Sequence, residues 1–484
     1  MSARLWLAVR LAIVAAACAA CSTTAHAGQT GSGPLPVQGE TAGAQQILEQ
    51  IRQMRAELDA LREQLAEERR DSAAVRRELA ALRDTFGQDQ ELLNARVQEH
   101  EQTKIESGSK YSVRLSGLVL FNLVSTQGSV DSLDLPLAAR EPGAASSFGM
   151  SVRQSSIGLE VFGPQVGGAK TSGDLGLDFF GGFPITAEGL SAARPRLRTA
   201  NVKMAWDNVS LVAGQDAPFF SPQSPSSLLG TAYPAFSSSG NLWTWTPQVY
   251  VEVRRPLSNG TRVTIAGGVL DPFTGEAPGS EYDRLPTAGE RSRVPALAMR
   301  AGLQTAGEEH RRAVGAGAYY ARQNWGFART VDAWAATADW DVSLGAGIAV
   351  SGEAYRGRSI GGLGGGLSTS VLFDGSAALP QSAVVPIAST GGWLQFKVAP
   401  SNRLEFNGAW GTDRPSCASA PRCAPATSFD PSRIRRNATA SLNTIYQVRS
   451  NLVFSLEYRR LRTTDAANVH WLADHFSLNT GIAF

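Results

Sequence analysis

Long apolar runs are missing from this 484-residue chain: beyond its first 27 residues no uninterrupted stretch approaches the ~20 apolar residues that a membrane helix needs. A helical membrane protein is thereby excluded. With 5 Met, 49 Gly and a mean hydropathy of -0.13, the composition is neither that of a helical membrane protein nor that of a disordered chain. Charge of one sign is also lacking. A net charge of +2 is too small to argue for a nucleic-acid partner, although 40 of the 45 basic residues are arginine, the cation suited to anion contacts. No His-Glu-x-x-His metal pair occurs. Asp474-His475 and His470 are the residues that would invite catalysis, and no cofactor, no metal and no enzyme activity is expected.

The 4 cysteines fall into two pairs. Cys18 and Cys21 lie in a leader, while Cys417 and Cys423 flank a short Ala/Ser/Pro/Arg segment that reads as a loop. The second spacing fits a disulfide made in an oxidising compartment. The leader has Arg4 and Arg10, then Leu11-Ala-Ile-Val-Ala-Ala-Ala, then Ala25-His-Ala27, which is the basic, apolar, A-x-A layout of a secretory signal peptide over residues 1–27. Cys21 as a lipidation site is the alternative, but Cys18 stands where a lipobox wants Leu.

A Gly/Pro/Gln-rich linker over 28–45 precedes a change of period. Ile47, Ile51, Met54, Leu58, Leu61 and Leu65, then Val75, Leu79, Leu82, Phe86 and Leu93, recur in steps of four and three. They predict a coiled coil over 46–100, whose narrow seam needs partner helices, with mixed Ile and Leu favouring a trimer over a dimer. A second linker, 101–110, leads to a different pattern over 111–484.

There period two takes over. Val113, Leu115, Val119, Phe121 and Leu123 alternate with Arg114, Ser116 and Asn122. Val249, Val251 and Val253 alternate with Tyr250, Glu252 and Arg254, and Leu452, Phe454, Leu456 and Tyr458 with Ser455, Glu457 and Arg459. Strands of about ten residues, apolar on one face and polar on the other, are the pattern of a transmembrane antiparallel β-barrel. About 370 residues at roughly 22 to 25 per strand and connection gives an even number near sixteen. Ala399-Pro-Ser-Asn-Arg403 reads as a tight turn, whereas Gly357 to Gly391 and Asp413 to Ser432 read as long loops. Trp206, Trp243, Trp245, Trp410 and Trp471 stand where an aromatic girdle would lie. The polar faces point Asp178, Lys203, Glu252, Arg254, Arg262, Arg300, Lys397, Glu405, Glu457 and Arg459 into the lumen, and these ten are the expected pore-lining residues.

The last nine residues place Phe476, Leu478, Thr480, Ile482 and Phe484 on one face and His475, Ser477, Asn479 and Gly481 on the other. Such an ending resembles the closing strand of bacterial outer-membrane barrels, which the barrel-assembly machinery reads at a terminal aromatic, here Phe484. Together with Ser147-Phe-Gly-Met-Ser-Val-Arg-Gln-Ser-Ser-Ile-Gly-Leu159, Gly163-Pro164, Leu175-Gly-Leu-Asp-Phe-Phe-Gly181 and Val212-Ala-Gly-Gln-Asp216, the chain from Ile47 to Phe484 resembles the DcaP-like trimeric porins. The resemblance implies a sixteen-stranded homotrimer in the outer membrane of a Gram-negative-type bacterium, with its coiled coils in the periplasm. It also implies passive diffusion of small hydrophilic solutes, extending to small organic anions such as dicarboxylates. The family's strongly basic constriction is not evident here, because acidic and basic residues share the predicted inner face. The alternative is a structural anchor in outer-membrane lipid, joined to peptidoglycan through the coiled coil.

Overall fold

The computed structural model describes Glu49 and residues 111–484 apart from 144–145, 184–192, 258–259, 277–282, 306–310, 418–433 and 466. Two compact units, Met1–Arg96 and Val97–Phe484, divide the chain. The leader, both linkers, the heptads and the Cys417–Cys423 pairing lie wholly or partly outside the described residues.

Among its described residues the second unit is strand in its regular parts, apart from single 3-10 turns at Glu290–Ser292 and Gly361–Leu363. In order they are β1 (Val113–Gln127), β2 (Ser146–Ser151), β3 (Ser156–Val166), β4 (Ala169–Asp178), β5 (Arg196–Ala205), β6 (Val209–Asp216), β7 (Thr246–Pro256), β8 (Thr261–Leu270) and β9 (Ala296–Thr305). Then come β10 (Arg312–Asn324), β11 (Thr330–Gly345), β12 (Ile348–Arg358), β13 (Val371–Phe373), β14 (Val384–Ser401), β15 (Leu404–Cys417), β16 (Ile434–Gln447), β17 (Leu452–Asp465) and β18 (His470–Ala483). These eighteen segments form sixteen wall strands. β2 and β3 are two halves of one wall strand, since both pair with β1. β13 is a flap within a loop that pairs only with the start of β14. Every pairing between neighbours is antiparallel, and β1 pairs with β18 to close the cylinder. Closure is sealed at the terminus, where Gly117 N–H donates to Phe484 O (2.8 Å) and Phe484 N–H donates to Gly117 O (3.0 Å).

Turn chemistry sets the two ends. Gly167-Gly168 and Ala346-Gly347 have positive φ at both positions (56° and 77°, 52° and 74°), the geometry of a two-residue hairpin whose twist matches its strands. Residues 402–403 make another turn of the same length. At the opposite end the connections 128–145, 217–245, 271–295 and 359–383 are long. Both expected loops are shorter than their composition suggested: Gly357 to Arg358 and Val384 to Gly391 belong to β12 and β14, and Asp413 to Cys417 belongs to β15.

The faces follow from the pleat. Val119, Val202, Leu442 and Leu456 point outward and are 58–63% exposed in the protein alone, while Asn122, His475 and Asn479 point inward at 0%. A sheet with its greasy side outward and its polar side enclosed suits hydrocarbon outside, because closure leaves no backbone edge unpaired. No helix among the described residues is long and apolar enough to cross a membrane. The tryptophans divide differently from expectation. Trp206 and Trp410 are on the outer face or its rim, but Trp243 and Trp245 lie in the 217–245 loop and Trp471 points inward at 8% exposure, so these three are not girdle residues.

Candidate functional site: the loop-lined lumen

The loop between β6 and β7, residues 217–245, contains no Asp, Glu, Lys, Arg or His. It folds into the cylinder and runs along the wall. Ser221 Oγ donates to Glu353 of β12, and Ser226 N–H to Gln395 Oε1 of β14 (2.6 Å). Asn443 Nδ2 of β16 donates to Ser226 O (2.9 Å), and Ser227 Oγ donates to Glu457 Oε2 of β17 (2.6 Å). Farther on, Asn437 Nδ2 donates to Ser238 O (2.9 Å) and Arg196 Nη2 of β5 to Ala232 O (2.9 Å). At about 1 kcal/mol net apiece these six bonds hold the loop by roughly 6 kcal/mol, which keeps it docked.

Apolar packing adds to the hold. Phe220 is fully buried and stacks on Tyr319 at 5.5 Å between centroids, and Phe219 stacks on Tyr250 at 4.6 Å. The wall makes room for this with small inner residues, Ala296, Ala298, Ala321, Ala333 and Ala335. Where loop and wall approach most closely, only glycine fits. A Cβ on Gly411 would lie 2.3 Å from Ser239 O, and one on Gly240, whose φ is +101°, would lie 2.3 Å from Gly392 O.

The loop sorts the inward-facing charges into two sets. Under it lie Asp339 (2% exposed), Glu353 (0%), Glu457 (3%) and Arg459 (1%). Asp339 takes a two-pronged bond from Arg300 (2.6 and 3.1 Å), and Glu457 pairs with Arg459. Asp413, also inward and 1% exposed, accepts from Ser389 Oγ (2.8 Å) and from Leu367 N–H (3.1 Å) of the 359–383 loop. Along β4 to β8, by contrast, Lys170, Lys203 and Arg262 are exposed on the inner face, with Arg198, Arg254, Asp174, Asp216 and Glu252 at least partly so. Arg254 Nε stands 3.6 Å from Glu252 Oε1.

Of the ten residues expected to line the lumen, all face inward, but only six reach open space. Lys203, Glu252, Arg254, Arg262, Lys397 and Glu405 do so; Lys397 Nζ and Glu405 Oε2 are 3.0 Å apart. Glu457 and Arg459 are covered by the loop, Arg300 is half-buried and tied to the buried Asp339, and Asp178 is covered at 0% by Arg196, which grips it from Nε (3.1 Å) and Nη2 (2.6 Å). Arg196 in turn lies over Tyr233 (4.4 Å) and Trp245 (4.8 Å). The 217–245 loop is the feature that strand periodicity missed. Its signal was there: a 29-residue connection without one charged side chain is unsuited to a solvated surface.

A second loop docks beside the first. Asp134 of the 128–145 loop is held by Arg153 Nη2 (2.6 Å) and Nε (2.8 Å), and Arg153 is sandwiched by Phe180 (3.9 Å) and Phe183 (4.3 Å). Burial pushes the Asp134 carboxyl up, but the Arg153 fork and the Ser151 and Ser132 hydroxyls outweigh it and hold the group below the ordinary 3.8. His475 faces Thr126 Oγ1 at 2.8 Å, without a carboxylate within bonding distance among the described residues.

No family model matches the chain, and no curated protein matches it. Solved structures do. The outer membrane channel DcaP of Acinetobacter baumannii superposes with a TM-score of 0.59 at 15% identity, covering 78% of this chain and 99% of that one. An anion-selective porin from Comamonas acidovorans matches at 0.45, with 11% identity and coverage of 78% and 100%. Pseudomonas putida OprB matches at 0.44, with 12% identity and coverage of 77% and 94%. The latter two are too remote to argue from. The first carries the fold, and the likeness drawn from the sequence is thereby met: this chain is similar to a DcaP channel as a closed sixteen-stranded barrel.

Proposed function

We propose that the protein is a passive diffusion channel of an outer membrane, carrying small hydrophilic solutes through its lumen and favouring small organic anions. The supporting observation is the one-sided exposure of charge. Along β4 to β8 the accessible inner face offers Lys170, Arg198, Lys203, Arg254 and Arg262 against Asp174, Asp216 and Glu252, while across the lumen Asp339, Glu353, Asp413 and Glu457 are buried and the accessible Glu405 is paired with Lys397. A solute meets the first set, and in a narrow low-dielectric passage the accessible charges set the local field. Passive diffusion requires no reactive group, and the expected absence of cofactor and catalysis belongs to this reading. So do outer-membrane location, delivery by the barrel-assembly machinery through Phe484, and a homotrimer gathered by coiled coils in the periplasm. The role of the six accessible side chains as pore lining is part of the same proposal.

The test is reconstitution of the full mature chain into planar bilayers. Stepwise conductance with a reversal potential of the sign for anions is expected under a salt gradient. A silent bilayer at every voltage defeats the channel reading and leaves the anchor, whose own mark is peptidoglycan binding by the coiled coil.

A further inference from the structure

Arginines also stand on the outside of the wall. The pairings put Arg356 of β12 opposite Thr390 of β14, and Thr390 opposite Arg414 of β15. One rung beyond the Asp413–Asn437 pair, Arg414 neighbours Arg436 of β16, and Arg462 of β17 lies opposite Ala438, one step along the same face. These side chains share the pleat of Leu394, Trp410, Leu442 and Leu456, which points away from the lumen. All lie toward the long-loop end of their strands. Adjacent strands are ~4.8 Å apart, so the row from Arg356 to Arg436 spans roughly 14 Å.

Like charges this close repel, and nothing among the described residues neutralises them: no carboxylate pairs with Arg356, Arg414, Arg436 or Arg462. Asp474, at 3.9 Å from Arg460, is the nearest outward acid on these strands. Below the row, on β14 to β18 and β1, the outer wall is concave. A groove of about 740 Å³ is lined by Phe396, Phe406, Leu442, Leu456, Phe476 and Leu478. From Leu456 to Arg462 the strand climbs ~20 Å, which at a tilt near 40° is ~15 Å along the membrane normal, half the hydrocarbon thickness.

We infer that this belt and groove bind one kind of partner, a phosphorylated lipid of the outward-facing leaflet, with its phosphates on Arg356, Arg414, Arg436 and Arg462 and an acyl chain in the groove beneath. Charge complementarity selects the occupant. A neutral lipid or a purely apolar partner face would leave four guanidinium groups unpaired at the boundary where water gives way to hydrocarbon, whereas phosphate oxygens match the guanidinium fork. The headgroup is held at the interface, where basic clusters bind anionic lipids. The inference rests on the membrane-spanning reading of the wall and is independent of what passes through the lumen.

The test uses the full mature chain in neutral detergent, with a bis-phosphorylated lipid A and its dephosphorylated form as probes and bound lipid counted by native mass spectrometry. The wild type is expected to retain the phosphorylated form at least tenfold better. The set R356Q/R414Q/R436Q/R462Q is expected to lose that preference, while the matching lysine set keeps most of it and both sets keep the wild-type conductance. Folding of each set is checked by heat-dependent gel mobility, and Arg436→Gln alone, expected to cut the preference severalfold, serves if the fourfold glutamine set does not fold. Equal retention of the two lipids overturns the inference. So does complete displacement by millimolar inorganic phosphate, which would mark a free-anion site, or a glutamine set that dissociates the oligomer yet holds lipid, which would mark an interface between copies of this chain.

Discussion

Along β4 to β8 the inner wall keeps Lys203, Arg254 and Arg262 in contact with open lumen, whereas along β11 to β17 the inner wall buries Asp339, Glu353, Asp413 and Glu457 under loops. The two halves are built from the same alternating strands, so the pleat does not separate them. What separates them is whether a loop lies on top, the uncharged 217–245 loop over Glu353 and Glu457 and the 359–383 loop over Asp413. A covered carboxylate must find its partners within the protein, and each does: Arg300 for Asp339, Ser221 for Glu353, Ser389 and Leu367 for Asp413, Arg459 and Ser227 for Glu457. An uncovered cation keeps its water and its reach. Inward orientation thus decides which residues could act on a solute, and coverage decides which of them can.

Removing the cover is the strongest way to break the contrast. Replacing residues 221–238 by a short Gly/Ser linker deletes Ser221, Ser226 and Ser227 and uncovers Glu353 and Glu457, while the 359–383 loop stays over Asp413. Single-channel conductance is expected to rise severalfold and the reversal potential to move toward cations; an unchanged sign would mean that the buried carboxylates never mattered to selectivity. Arg300→Gln tests the covered half more locally. It leaves Asp339, 2% exposed, without its counter-ion and beside Glu353, its direct cross-strand neighbour, at a cost of ~3–5 kcal/mol. The expected readout is a clear drop in the temperature at which the folded band disappears on a gel, with little change of selectivity.

The wall was legible from the sequence wherever its two faces differ chemically. Val249, Val251 and Val253 against Tyr250, Glu252 and Arg254 left no doubt about β7, and the register places each as the alternation requires. β10 and β11 were harder to read, because Ala313-Val-Gly-Ala-Gly-Ala-Tyr-Tyr320 has no charged face and Val331-Asp-Ala-Trp-Ala-Ala336 has only Asp332 to mark one. The inner alanines are small because Phe220 and the 359–383 loop pack on them, a long-range cause that no local period records. The same cause hid the covering of Glu457 and Arg459. Periodicity finds the direction of a side chain, but only the path of a loop tells what lies over it.

The accessible half gives a milder effect. Lys203→Glu with Arg262→Glu changes the sign of two exposed inner charges without breaking an ion pair. Reversal potential under a salt gradient is expected to shift toward cations while thermal stability stays within ~1 kcal/mol of wild type, as for exposed charges generally. The same exchange at Arg459 should do the reverse, lowering stability and leaving selectivity in place.

The smallest expected effect is on pH, at the contact that fixes the 128–145 loop. Asp134 is buried, but the Arg153 fork holds its folded-state titration below the ordinary 3.8. A depressed carboxyl contributes stability that is fully present above its unfolded value and is lost as pH falls through the folded one. The docking of this loop should therefore be unchanged from neutral pH down to about 4 and should loosen only below that. Hydrogen exchange across residues 131–139 is the measurement, with protection expected to fall at pH 3 but not at pH 5. Asp134→Asn removes the charge at every pH, so at pH 5 the variant should already show the lowered protection, relative to intrinsic exchange, that the wild type shows at pH 3. If the wild type instead loosened between pH 6 and 7, the Arg153 contact would not be what holds the loop, and the covered set of residues would depend on a group other than Asp134.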